Sequence, residues 1–224
     1  MEHCVTTRST ELSRSLSSFL AILIVVACTA PAPSVSNSAN MFAGRTSQSD
    51  VARGRYLVIE HGCGDCHSTG VPSPLADGWL AGLADTDSGF VVGPFRTRPR
   101  NLTPDNATGL GRFSERQIFN ALRYGLRPGE TPDVEITSNV PGRGNFPLHP
   151  KYLAPPMPWI AYRHMSDADL LAIATYLKHG LKPVSHKVKD SDGPPDFWVG
   201  TYTVDKVGPY PAPAFPAATE SGQR

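Results

Sequence analysis

The stretch HGCGDCHSTG, residues 61–70, constrains this chain more than any other. It sets Cys63, Cys66 and His67 in the order C-x-x-C-H. The chain holds four cysteines, and the other two, Cys4 and Cys28, stand at its start, in a segment that reads as a targeting signal. A structural zinc site takes four Cys or His ligands, and no second cysteine pair follows this one. A thioredoxin-like site places C-x-x-C near a βαβ pattern, whereas the surroundings here are not strand-like. A structural disulfide across two intervening residues would be unusual. With this composition, chance produces C-x-x-C-H on the order of two times in a thousand such chains. The pattern is that of c-type haem attachment. In that chemistry each sulfur adds to a haem vinyl group, and His67 faces the iron from one side. Covalent links let a short, loop-rich chain organise itself around the porphyrin, which then supplies much of the apolar core.

Composition agrees with a soluble domain rich in loops. Of 224 residues, 40% are hydrophobic and 18% charged, with 22 prolines and 20 glycines. A net charge of +1 leaves no basic surface for nucleic acid. Arg8 and Arg14 precede an apolar run, FLAILIVVAC, from Phe19 to Cys28. That run is too short for a membrane span and matches the core of a secretory signal. VVAC also has the form of a lipoprotein box, in which Cys28 becomes a lipidated first residue and a membrane tether. An ordinary cleavable signal, cut nearby, is the other reading. Either way the protein is exported, to the periplasm or beyond. Residues 1–28 are therefore taken as signal, 29–48 as a flexible linker, 49–183 as the globular domain and 184–224 as a Pro- and aromatic-rich extension.

A haem iron held by His67 needs a sixth ligand or an open position. Met1 and Met41 fall in the targeting and linker region, which leaves Met157 and Met165. Met165 has a packing role available to it. Ser166 can cap a helix, Asp169 stands at the reciprocal position, and Met165 can staple onto Leu170. Met157 lies between Pro155, Pro156 and Pro158, in a loop stiffened by residues that lack backbone N–H donors. The thioether of Met157 is the expected axial ligand, since His/Met ligation is the cytochrome c pattern. His149 and His164 flank the same loop and compete with it; His61, His179 and His186 are weaker candidates.

Three helices are expected. The first spans about Asp50 to Glu60, capped by Ser49 or Asp50 and stopped by Gly62, with Gly54 marking a close helix crossing. The second follows Ser114, with Gln117 reciprocal to it, Phe113 stapling to Ile118 and Gly125 as left-handed exit. The third runs from Ser166 to His179 and closes at Gly180. The best strand candidate is WVGTYTV, Trp198 to Val204.

This order of helix, C-x-x-C-H, long loop, helix, Pro-rich methionine loop and helix resembles a class I cytochrome c. More narrowly, NLTPDNATGLGRFSERQIFNALRYGLRPG followed by MPWIAYRHMSDADLLAIATYLK is similar to the single-haem modules of cytochrome subunits of membrane-bound bacterial alcohol and gluconate dehydrogenases. The likeness covers about residues 50 to 183. It implies a mainly α cytochrome c fold, with three or more helices around one covalently bound haem and long Pro/Gly-rich loops. It also implies that Cys63 and Cys66 carry the haem, that His67 is proximal and Met157 distal, and that the loop Asn101–Asp105 lies near the haem. The chain departs from those subunits in carrying one C-x-x-C-H motif, in an insertion at about 130–151, and in its C-terminal extension. Insertion and extension could cover the haem, dock a partner, or be variable loops.

The function these readings imply is one-electron transfer by a mono-haem c-type cytochrome in an exported respiratory or dehydrogenase-linked chain. Its partners would be redox proteins, a dehydrogenase or a terminal oxidase, met through small transient interfaces. Trp79, Phe90 or Trp159 would line the docking edge or pack in the core. Two alternatives stay open: a haem enzyme or gas sensor with a labile sixth position, and an electron-accepting subunit of a dehydrogenase complex. No nucleophile–base constellation stands in a recognisable strand-turn-helix setting.

Overall fold

The computed structural model describes residues 48–210, apart from 69, 72 and 195. The signal, Cys28, most of the linker and the last residues of the extension lie outside that range. Helix α1, Gln48–Glu60, begins two residues before the expected start, so Ser49 and Asp50 sit inside its first turn rather than capping it. Gly62 turns the chain out of α1 with φ of 62° and leads into α2, Cys63–His67, which carries the whole C-x-x-C-H motif. Helix α3, Glu115–Tyr124, has the expected capping box between Ser114 and Gln117 and exits through Gly125 in the left-handed region. A four-residue helix, α4 (Trp159–Tyr162), follows the methionine loop. Helix α5, Asp167–His179, starts from Ser166, whose hydroxyl accepts the Asp169 N–H. The Asp169 carboxylate pairs with Arg53 of α1, so one acidic residue ties two helices together.

The described residues are helix-rich, with one short antiparallel hairpin, β1 (Phe90–Val92) and β2 (Phe95–Thr97), which the sequence reading did not anticipate. The expected strand at Trp198–Val204 is not formed. That segment makes a 3-10 turn, Val199–Thr201, followed by the one-turn helix α6, Val204–Val207. From this turn Trp198 and Tyr202, four residues apart, both bury, while Gly200 and Thr201 face solvent.

Helix α1 lies along α5, and α3 packs on α5 and α4. The α1–α5 crossing is close at Gly54, where a Cβ would stand 1.9 Å from the Ala172 carbonyl oxygen. Two hydrophobic clusters result. The first joins Leu57 and Val58 of α1, Trp79 and Leu80, Ile118, Phe119 and Leu122 of α3, and Leu170, Ile173 and Leu177 of α5. The second joins Phe95, Tyr124, Leu126, Ile136, Phe146, Tyr152, Trp159, Trp198 and Tyr202. Residues of the 130–151 insertion and of the extension thus share one aromatic core. Burying several aromatic rings together is what lets so proline-rich a segment hold a single conformation. Trp79 and Trp159, at 5% and 2% exposure, are core residues and do not line a docking edge.

Candidate functional site

Helix α2 presents Cys63, Cys66 and His67 on one turn, and neither thiol is bridged. Burial pushes the Cys63 thiol up to about 11, and burial followed by the nearby Asp65 charge raises Cys66 as well. A thioredoxin-like pair depends on a lowered thiol pKa, and these shifts run the opposite way. Residue 64, between the cysteines, is held to glycine by Trp79, whose Nε1 would lie 2.8 Å from a Cβ there. The indole ring therefore packs directly against the motif.

His67 is positioned from both of its ends. Its carbonyl accepts the Gly82 N–H at 2.8 Å, and its ring Nδ1 lies 2.7 Å from the Arg100 carbonyl oxygen. A carbonyl can only accept, so Nδ1 carries the proton and Nε2 keeps its lone pair. Burial lowers the His67 pKa, with the Arg100 bond as the opposing influence. A neutral imidazole with a free Nε2 is the form that ligates a metal, and a backbone carbonyl is a usual orienting partner.

The Arg100 carbonyl is itself held in place. The Arg100 guanidinium reaches the Val188 carbonyl at 3.1 Å and the Lys189 carbonyl at 3.3 Å. Next to it, buried Asn101 donates to Thr108 Oγ1 at 3.0 Å and to the Val184 carbonyl at 2.7 Å. The expected loop Asn101–Asp105 is thus stapled to the chain that follows α5. Leu102 N–H bonds to the Leu80 carbonyl at 2.8 Å, and Leu80 N–H to Ser68 Oγ at 2.5 Å, which closes the loop back on the motif.

Met157 and Cys63 both lie half-buried against the first cluster, together with Val71, Leu102 and Tyr162. Tyr162 links the two halves of the site. Its hydroxyl is raised to about 12 by burial and by the adjacent Cys63 and Cys66 thiols, and its ring meets His61 edge-on with centroids 5.6 Å apart. Helix α4, which follows the Met157 loop, therefore lies against the motif. Two half-buried thiols and an oriented imidazole on one turn are a donor set that fits a covalently held haem. Among the described residues no three His, Cys, Asp or Glu side chains are grouped so as to hold a metal ion.

The other candidates are placed elsewhere. His149 and His164 are exposed. His61 Nδ1 meets the Leu57 carbonyl at 2.9 Å, His179 pairs with Glu115 at 3.0 Å, and His186 Nδ1 meets the Ala81 carbonyl at 2.8 Å. Met165 packs against the first cluster, as a capping-region residue would. Sequence reasoning missed Arg100, Trp79 and Tyr162 as supports. Arg100 acts through a backbone carbonyl, which carries no residue signature, and only its place just ahead of NLTPD pointed to it.

No family model matches the chain. It is 32% identical over 145 residues to the gluconate 2-dehydrogenase cytochrome c subunit of Pantoea cypripedii, covering 64% of this chain and 26% of that protein. It is 26% identical over 134 residues to the fructose dehydrogenase cytochrome subunit of Gluconobacter japonicus, covering 60% and 22%. A diheme cytochrome c-type protein of Cereibacter sphaeroides is 25% identical over 173 residues, covering 74% and 48%. The matched region thus spans about a quarter of the two dehydrogenase subunits. Relatives of this chain are cytochrome c subunits of dehydrogenases.

Proposed function

We propose that this protein is a mono-haem c-type cytochrome that passes single electrons in an exported, dehydrogenase-linked chain. The observation that carries the reading is His67, with Nδ1 bound to the Arg100 carbonyl and Nε2 free, beside two unbridged thiols on the same turn. The cytochrome subunits of gluconate and fructose dehydrogenases among its relatives support a dehydrogenase as electron donor. When bound, haem supplies a one-electron ferric–ferrous couple.

The chain's own residues then have defined tasks. Cys63 and Cys66 would hold the macrocycle by thioether bonds, so that it stays in place without full enclosure. His67 would ligate through Nε2, and its bond to Arg100 keeps the imidazole in one tautomer and one orientation. Met157 would offer its thioether as the second ligand. With His67 and Met157 both as ligands, no substrate would have to reach the metal, and the protein's work would be to set the potential and present a partner surface. Leu102, Val71 and Tyr162, packed against the first cluster, would keep water from the group and so tune its potential. Export follows from the Phe19–Cys28 run, with Cys28 as the residue through which a lipid tether would form.

The test is the ferric absorption spectrum of the holoprotein, matured with haem-attachment machinery, for wild type and Met157→Ala. A weak far-red band from iron–thioether bonding, lost on substitution, is the expected result. A wild type without that band would refute Met157 as ligand and revive the reading of an open, gas-binding or catalytic site. Haem staining on a denaturing gel checks the attachment. It should persist in Met157→Ala and vanish when Cys63 and Cys66 are both replaced by alanine.

A further inference from the structure

The extension makes a specific contact with the methionine loop that its sequence does not advertise. Met157 and Trp159 are coupled through the backbone: the Trp159 N–H bonds to the Met157 carbonyl at 3.0 Å, and the Met157 N–H to the Ala154 carbonyl at 3.1 Å. Trp159 is therefore the residue through which the loop is gripped. Its indole stacks in parallel on Tyr152, with centroids 5.9 Å apart and 6° between planes. It also lies against Gly125, where a Cβ would stand 2.2 Å from the ring. Those two walls come from the methionine segment itself and from the end of α3. The third wall is Tyr202 of the extension, edge-on to Trp159 at 5.0 Å and to Tyr152 at 5.3 Å.

Tyr202 is latched on both sides. Upstream, Asp196, 12% exposed, pairs with Arg127 and, at 3.2 Å, with Lys151. These two cations belong to the short ladder in which the Arg127 N–H bonds to the Lys151 carbonyl at 2.8 Å and the Leu153 N–H to the Gly125 carbonyl at 2.6 Å. Downstream, the buried Arg163 guanidinium donates to the Val207 carbonyl at 2.5 Å and to the Pro209 carbonyl at 3.0 Å. Asn139 of the insertion donates to the Gly208 carbonyl at 2.8 Å. Asp196 is thereby tied to the ladder that leads into the Met157 loop, and Arg163 stands just beyond that loop, at the end of α4.

We infer that residues 196–210 form a clamp that positions the Met157 loop, with Tyr202 as its central residue, and so govern how readily the sixth ligand detaches. This rests on the reading of Met157 as axial ligand. The physical reason is local stability. A loop without regular hydrogen bonding opens at a free energy set by its few buried contacts, well below that of global unfolding. Here the aromatic box around Trp159 supplies those contacts. Removing one wall raises the open population while α1, α3 and α5 keep their packing.

The experiment compares full-length holoprotein of wild type and Tyr202→Ala in increasing urea, following the ferric far-red band and the far-UV helical signal together. Carbon monoxide association with the ferrous protein is measured alongside. In Tyr202→Ala the band should disappear at clearly lower urea than the helical signal, with the gap between the two transitions wider than in wild type. Carbon monoxide should associate at least roughly tenfold faster, in proportion to the open fraction. A merely structural residue would shift both urea transitions together and leave their gap unchanged. That result, with unaltered gas association, would overturn the clamp. Asp196→Asn supplies a second variant, which keeps the side chain's size and removes its charge from Arg127 and Lys151, and in it the same separation of transitions is expected. If wild type lacks the far-red band, the ligation reading itself fails; if wild type has it and both variants behave like wild type, only the clamp fails.

Discussion

Replacing Gly54 by alanine sets two known effects against each other, and the structure says which prevails. In an exposed helix the change from glycine to alanine stabilises by about 1 kcal/mol. At this crossing the new Cβ would lie 1.9 Å from the Ala172 carbonyl oxygen and 2.6 Å from Tyr176 Cβ. A carbon–oxygen contact needs about 3.3 Å, so α1 must move away from α5 by more than about 1 Å. The obstacle is backbone, and no rotamer change relieves it. Overpacking of this kind costs about 3 kcal/mol, at the upper end of its usual range. The net expectation is a loss of about 2 kcal/mol, after subtracting the propensity gain. For a chain of this size that lowers the melting temperature by about 4–8 °C. Thermal unfolding of the holoprotein, followed by far-UV circular dichroism, measures it. A Gly54→Ala protein as stable as wild type, or more stable, would show that α1 and α5 do not cross here and would refute the packing that places the C-x-x-C-H turn.

Two further outcomes follow from the same geometry. Gly125→Ala places a side chain at φ of 71° and 2.2 Å from the Trp159 ring, and should destabilise by about 3 kcal/mol in urea unfolding; a change under about 1 kcal/mol would mean that Trp159 is free to move. The Asp105 carboxyl is held below its ordinary value by the Thr108 hydroxyl first, then by the Thr108 and Ala107 N–H groups. Its folded pKa is lower than its unfolded one, so the stability it contributes is present above about pH 4 and is lost as pH falls through the folded value. Melting temperature should fall more steeply with acidification in wild type than in Asp105→Asn; parallel curves would show that the turn does not favour the ionised form.

How much was legible in the residues differs by element. The boundary chemistry of α3, with Ser114, Gln117 and Gly125, was readable because caps are local and each residue type answers one unsatisfied backbone group. Gly54 was readable as a crossing because an interior helical glycine is costly without a packing reason. The hairpin at Phe90–Thr97 went unseen, since three-residue strands leave too short a period to detect. The segment Trp198–Val204 has no convincing alternation to mark a strand, and a turn there drops Trp198 and Tyr202 into a shared core. At Asp169 the reciprocal cap expected from spacing yielded to Arg53, a partner from another helix.

The chemistry proposed for the site was written in the sequence, because covalent attachment demands its residues within one helical turn and so leaves a local pattern, Cys63-x-x-Cys66-His67. The prolines beside Met157 are what single it out as the proposed sixth ligand. Tertiary structure alone decided how those groups are held. Arg100 orients His67 through a main-chain oxygen that any residue could supply, and the chain beyond α5 fixes Arg100 in turn. The extension and the insertion, open in their role when read as sequence, become one aromatic core around Trp159. Buried aromatic area is non-directional, so nothing in a list of tyrosines and tryptophans says which will meet; the path of the backbone does.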